Sequence, residues 1–69
     1  MGIPATDIRQ RLEALYAERA LAGAAGLGGN ALYMDDLEAE IGFTRNAYVG
    51  AAVAEIALLR ARLDGPLQG

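Results

Sequence analysis

Cysteine, histidine, serine, lysine and tryptophan are all absent from this 69-residue sequence. Without cysteine the chain forms no disulfide and offers no thiolate to a metal, and without histidine it lacks the most common metal ligand and general base. Thr6 and Thr44 are the only aliphatic hydroxyls, and no histidine is available to activate either of them. We therefore expect no enzymatic activity, no cofactor and no metal.

Lysine is missing from the charged residues too, so all six basic side chains are arginines and the net charge is −3. An acidic chain has no general attraction to nucleic-acid phosphates or to anionic lipid. The most apolar stretch, residues 47–59, contains Glu55 and is shorter than the roughly 20 residues that a membrane span requires. We expect neither a nucleic acid nor a membrane as the partner.

The first helix is predicted over residues 6–24, after an N-terminal arm of residues 1–5. Pro4 disfavours helix before it, and Thr6 or Asp7 can cap the free N–H groups at the helix start. A stripe of apolar residues then recurs at helical spacing, and oppositely charged pairs such as Asp7 and Arg11 lie four residues apart. The stripe consists of Ile8, Leu12, Leu15 and Tyr16.

Four glycines between Gly23 and Gly29 predict a sharp chain reversal in the loop of residues 25–30. Asn30 is suited to cap a second helix over residues 31–63, with residues 64–69 as a C-terminal tail. The second helix is either one long helix, continuous or kinked, or two helices separated at Gly42. We favour the long helix, which makes the fold all-α: one small domain with the topology of an antiparallel helical hairpin.

Apolar residues make up 54% of the chain, which is more than so short a hairpin can bury. Between Val49 and Leu59 they surround the predicted helix almost completely, and a band of small residues around Gly50 and Ala54 permits close helix packing. We therefore predict a protein-binding surface occupied by copies of the chain or by a larger assembly. The candidate contact residues are Tyr33, Phe43, Tyr48, Val49, Val53, Ile56 and Leu59.

Two other patterns have simpler interpretations. The acidic residues from Asp35 to Glu40 lack the alternation of a calcium loop, so we interpret them as a solvated helix start. The glycines of residues 26–29 superficially fit a dinucleotide fingerprint, but no strand precedes them, so we interpret them as an inter-helix loop.

Residues 37–53 resemble the helix-turn-helix motif of bacterial DNA-binding proteins. The resemblance lies in Ile41-Gly42-Phe43-Thr44, where that family has an apolar residue, glycine, an apolar residue and serine or threonine at the turn. It implies a turn at Gly42 and a recognition helix whose exposed start carries Arg45, Asn46 and Tyr48 towards DNA bases. A DNA-binding regulator is therefore the alternative function.

The whole chain also resembles the small helical proteins of tailed-bacteriophage structural modules. The resemblance rests on an acidic hairpin rich in alanine and arginine, on the run Ala47-Tyr48-Val49-Gly50-Ala51-Ala52-Val53-Ala54-Glu55-Ile56, and on a Gly-Pro tail. It implies a connector, head-completion or capsid-decorating subunit, located in a virion or in the cytoplasm of a bacterial host. No functional residue is implied by this resemblance.

Overall fold

A computed structural model of the protein describes residues 2–64. Helix α1 spans Ala5–Ala24, a single 3-10 turn spans Leu27–Gly29, and helix α2 spans Ala31–Asp64. The described residues contain no strand, and the two helices lie antiparallel, as their buried residues and inter-helix contacts require. The predicted all-α hairpin with a long second helix is confirmed, while Met1 and residues 65–69 of the predicted arm and tail lie outside the described residues.

The start of α1 differs from the prediction that Thr6 or Asp7 caps it. The helix begins at Ala5 with Pro4 in the capping position, and the Pro4 carbonyl accepts hydrogen bonds from the N–H groups of Asp7 and Ile8. No side chain from α1 caps its own N-terminus. Proline tolerates this position because its fixed φ matches the helix entry and a donor here would have no partner within the helix.

The reversal between the helices uses one left-handed glycine. Gly26 has φ +81°, a conformation that side chains with a Cβ disfavour, and its N–H bonds to the Gly23 carbonyl over 3.2 Å. Asn30 caps α2 as predicted, since its side-chain Oδ1 accepts the N–H of Tyr33 at 3.1 Å. Local sequence signals therefore determine both sides of the turn.

Helix α2 runs without a break through Gly42, Phe43 and Thr44. The helix-turn-helix alternative needed a turn at these residues, and that part of it is wrong: residues 37–53 form one helix in the structure. A single glycine costs a helix interior only about 1 kcal/mol, and packing on α1 on both sides of Gly42 offsets this. The buried side chains Ile41 and Thr44 provide that packing.

The hydrophobic core is small and lies in the half of the hairpin nearer the turn. Leu12 and Leu15 of α1 pack against Leu37 and Ile41 of α2. Tyr16 and Tyr33 cover the edges of this cluster. Because α1 has 20 residues and α2 has 34, the second helix is longer by about 21 Å at 1.5 Å per residue.

Candidate protein-binding surface

The C-terminal third of α2 extends beyond the start of α1 and is largely uncovered by the described residues. Every residue from Val53 to Asp64 is exposed, and we call residues 53–64 the exposed segment. Five of its side chains are large and aliphatic, with 54–64% of their surface open to solvent: Val53, Ile56, Leu58, Leu59 and Leu63. This segment therefore presents more large apolar side chains to solvent than the four that the hairpin's core cluster buries.

Part of this surface continues along α2 as an apolar stripe. Val49, Ile56 and Leu63 follow one another at seven-residue intervals, with Ala52 and Leu59 between them. At about 100° per residue these five positions share one side of the helix. We call this set the apolar stripe.

The apolar stripe does not face α1. The side of α2 that packs on α1 carries Leu37, Ile41 and Thr44, and the same side continues at Ala51 and Glu55. It is rotated from the stripe by roughly 80° around the helix axis. Val49 illustrates this: 52% of its surface is exposed although α1 runs alongside this part of α2. A further helix can therefore pack on the stripe beside α1 without displacing it.

Glu55 of α2 lies next to the N-terminus of α1. Its Oε2 accepts a hydrogen bond from the backbone N–H of Ala5 at 2.6 Å. The carboxylate thus satisfies a free donor at the N-terminus of α1 and places a negative charge there, which the helix dipole favours. This tertiary cap replaces the local cap predicted from Thr6 or Asp7.

The polar contacts between the helices lie mainly around the core. Arg19 of α1 pairs with Glu38 of α2 at 2.9 Å, and Arg11 pairs with Glu40. Within α1, the Arg19 guanidinium lies 5.1 Å from the centre of the Tyr16 ring. Arg11 thus pairs across the hairpin rather than with Asp7 as expected from their spacing. The two ion pairs favour this register of α1 and α2, because a slip of either helix would separate their side chains, although exposed pairs of this kind contribute only about 0–1 kcal/mol each.

Two tyrosines complete these inter-helix contacts. The Tyr33 hydroxyl donates to Oε2 of Glu18 at 2.8 Å, and the hydrogen bond together with the negative charge raises the pKa of Tyr33. Arg45 Nη2 donates to the Tyr16 hydroxyl at 3.0 Å, which raises the pKa of Arg45. The arginine that the DNA-binding alternative assigns to base contacts is thus part of the hairpin.

The predicted contact residues do not form one surface. Val49, Val53, Ile56 and Leu59 lie together on the exposed part of α2, whereas Tyr33 is half-buried against the core at the other end of the helix. Phe43 is 77% exposed and lies on nearly the opposite side of α2 from the apolar stripe. Tyr48 is half-buried on the side of α2 that faces α1.

Two exposed residues of this surface, Leu58 and Leu63, were not among the predicted contacts, and neither was Ile3. Ile3 joins Ile8, Phe43 and Ala47 in lining a shallow apolar groove beside the start of α1. The signal for Leu63 was present in the sequence as its seven-residue spacing from Ile56. No local signal placed Ile3 against α2, because that contact depends on the relative height of the helices.

No protein-family model, no curated protein and no solved structure matches this chain. Within residues 2–64, neither helix has a stretch both long and apolar enough to cross a membrane. The same residues contain no group of three or more acidic side chains arranged to hold a metal ion.

Proposed function

We propose that this protein is a non-enzymatic structural or assembly subunit that binds a protein surface through the apolar stripe and exposed segment of α2. The observation that carries the proposal is the set of five large aliphatic side chains on residues 53–64, each more than half exposed, of which Ile56, Leu59 and Leu63 share one side of the helix. Contiguous apolar surface rimmed by polar residues is typical of protein-binding sites.

The energetics of the exposed segment support this proposal. Complete burial of a large aliphatic side chain contributes about 1.5–3 kcal/mol, so covering the remaining half of five of them contributes on the order of 5 kcal/mol. The segment has 12 residues, and isolated helices shorter than about 12–15 residues are marginal in water. A partner that covers the apolar side chains would supply the packing that keeps this part of α2 helical.

The absence of the usual catalytic side chains supports a non-enzymatic role. With no histidine, cysteine or serine in the chain, catalysis would depend on carboxylates, arginines and tyrosines. Several of these are engaged in holding the hairpin, including Arg19 with Glu38 and Tyr33 with Glu18. Packing surface is the feature that the chain offers in excess.

Within this class we propose a subunit of a tailed-bacteriophage virion, a proposal that rests on the resemblance in sequence described above. Mass spectrometry of purified particles tests it, with the chain expected at a fixed ratio to the major capsid protein. Neighbouring genes for portal, capsid or terminase proteins would support the proposal. Absence of the chain from intact particles, when it is abundant in the infected cell, would refute it.

Photo-crosslinking in the native cell tests the binding proposal directly. Val53→benzoylphenylalanine places the probe on the exposed segment, and Glu13→benzoylphenylalanine places the same probe on the outer side of α1 as the control. We expect discrete crosslinked products from position 53 and none from position 13. Equal products from both positions, or none from position 53 in a folded chain, would refute the proposal.

A further inference from the structure

We infer that the occupant of the apolar stripe is a second copy of this chain, packed antiparallel with a two-fold axis between Ala57 and Leu58. This inference rests on the proposed function, because it names the partner of the same surface. The two copies contact each other only through residues 52–63. The inter-helix turns therefore lie at opposite ends of the dimer.

The side chains of the stripe suit an antiparallel pair of helices. With the axis between residues 57 and 58, Ile56 of one copy faces Leu59 of the other, and Ala52 faces Leu63. Positions separated by alternating intervals of three and four residues form the seam of such helix pairs. The second contact joins a small residue to a large one, which lets the two side chains fill the space between the backbones.

Charges beside the stripe are complementary in this arrangement. Glu55 and Arg62 lie seven residues apart on the same flank of α2, towards the side that faces α1. An antiparallel pair brings Glu55 of each copy beside Arg62 of the other, so the dimer gains two ion pairs. One Glu55 oxygen accepts the Ala5 N–H, and a carboxylate has a second oxygen for the arginine.

The extent of the apolar stripe favours antiparallel over parallel packing. Towards the turn, the same spacing continues from Val49 to Arg45, Gly42 and Glu38, so two of these three positions are charged. A parallel pair would place each of these charges opposite its own copy, which is unfavourable. The antiparallel pair ends its contact near Ala52, so these residues stay outside the interface.

The expected dimer is weak. An overlap of 12 residues is about 18 Å long, so the interface lies among small specific interfaces that bury less than about 1,200 Å² in total. We expect association in the micromolar range and a clear dependence of the average mass on concentration.

Introduced cysteines test the register, because the natural chain has none. Chains carrying Ala52→Cys and chains carrying Leu63→Cys are mixed and exposed to a mild oxidant. The inference predicts a disulfide dimer in the mixture and none in either variant alone, since identical positions lie about 16 Å apart along the antiparallel axis. Crosslinking of Leu63→Cys alone, as a parallel pair predicts, would overturn the inference.

Sedimentation equilibrium measures the association of the cysteine-free chain. Ile56→Glu puts a charge in the seam and should raise the dissociation constant of the dimer at least tenfold. Leu32→Glu, at an exposed position near the turn, should leave the dissociation constant unchanged. Arg62→Glu should weaken the dimer, and the double variant Glu55→Arg with Arg62→Glu should restore part of the loss. A monomer at all concentrations, or equal effects of Ile56→Glu and Leu32→Glu, would overturn the inference.

Photo-crosslinking from position 53 shows whether only this inference fails or the proposed function fails as well. Products that contain only a different protein, from a chain that is monomeric when purified, overturn the second copy as occupant and leave the assembly role intact. No product at all overturns both. Products with twice the mass of the chain support both.

Discussion

Leu15→Ala should strongly destabilise the isolated protein, because Leu15 is the most completely buried side chain of a very small core. It is 1% exposed and packs with Leu12, Leu37 and Ile41. Replacing a fully buried leucine by alanine costs about 2.7–5.0 kcal/mol from lost burial and the cavity left behind. A chain of 69 residues has a total stability of only about 3–10 kcal/mol. The loss is therefore a large part of the free energy of unfolding.

Leu21→Ala is the matched control for this substitution. Leu21 lies on the same helix but is 70% exposed, so the same change of side chain should alter the free energy of unfolding by less than about 1 kcal/mol. Urea unfolding followed by far-ultraviolet circular dichroism, at one low protein concentration, measures both. Equal losses for the two variants would show that Leu15 is not in a packed core, and the hairpin described here would be refuted.

Three further predictions concern the ends, the middle and the titration of the hairpin. Asn30→Ala removes the oxygen that caps α2 and should destabilise the chain by about 1 kcal/mol in urea unfolding, whereas an equal or higher midpoint would contradict the cap. Gly42→Ala should stabilise it by about 0.5–1 kcal/mol, since a Cβ there meets no atom within 4 Å and glycine is unfavourable inside a helix; a loss of stability would indicate a turn at Gly42. The raised pKa of Tyr33 means that the folded state holds the phenol proton more tightly than the unfolded state, whose pKa is near 10.0, so this contribution to stability is complete below that pH and is lost as the pH rises through the folded-state pKa. Phenolate absorbance, assigned with Tyr33→Phe, should show this group titrating above pH 10.0 and shifting towards it in Glu18→Gln.

Local signals explain how much of the fold was predictable. The glycine-rich turn, the Asn30 cap and the helical spacing of Leu12 and Leu15 each depend on residues close in sequence, and the structure contains all three. The cap of α1 was predicted incorrectly, because a carboxylate oxygen of Glu55, 50 residues away in sequence, accepts the N–H of Ala5. Such a contact depends on how far the helices slide past each other, which no spacing within one helix encodes.

The candidate surface was predictable only in part, because its position also depends on how the two helices pack. An excess of apolar residues between Val49 and Leu59 was visible in the sequence, but two sides of α2 are apolar there, and the choice between them depends on where α1 lies. The structure assigns Leu37 and Ile41 to the intramolecular side, and with it fixes which side of α2 remains uncovered. Tyr33 was included among the contacts because aromatic residues often anchor interfaces, whereas its hydroxyl bonds to Glu18 within the hairpin.

The two parts of α2 have different neighbours, so substitutions in them should affect different measurements. Around Leu37 and Ile41 the helix gains its packing from α1, and changes there should reduce stability whether or not a partner is present. Ile56 itself is 60% exposed, so Ile56→Glu removes little packing from the monomer and should leave its unfolding midpoint nearly unchanged at low concentration. Because a partner that binds only the folded chain stabilises it, the natural chain should gain in unfolding midpoint as its concentration rises, and Ile56→Glu should not. A concentration-independent midpoint for the natural chain would mean that the exposed segment is stable without a second copy.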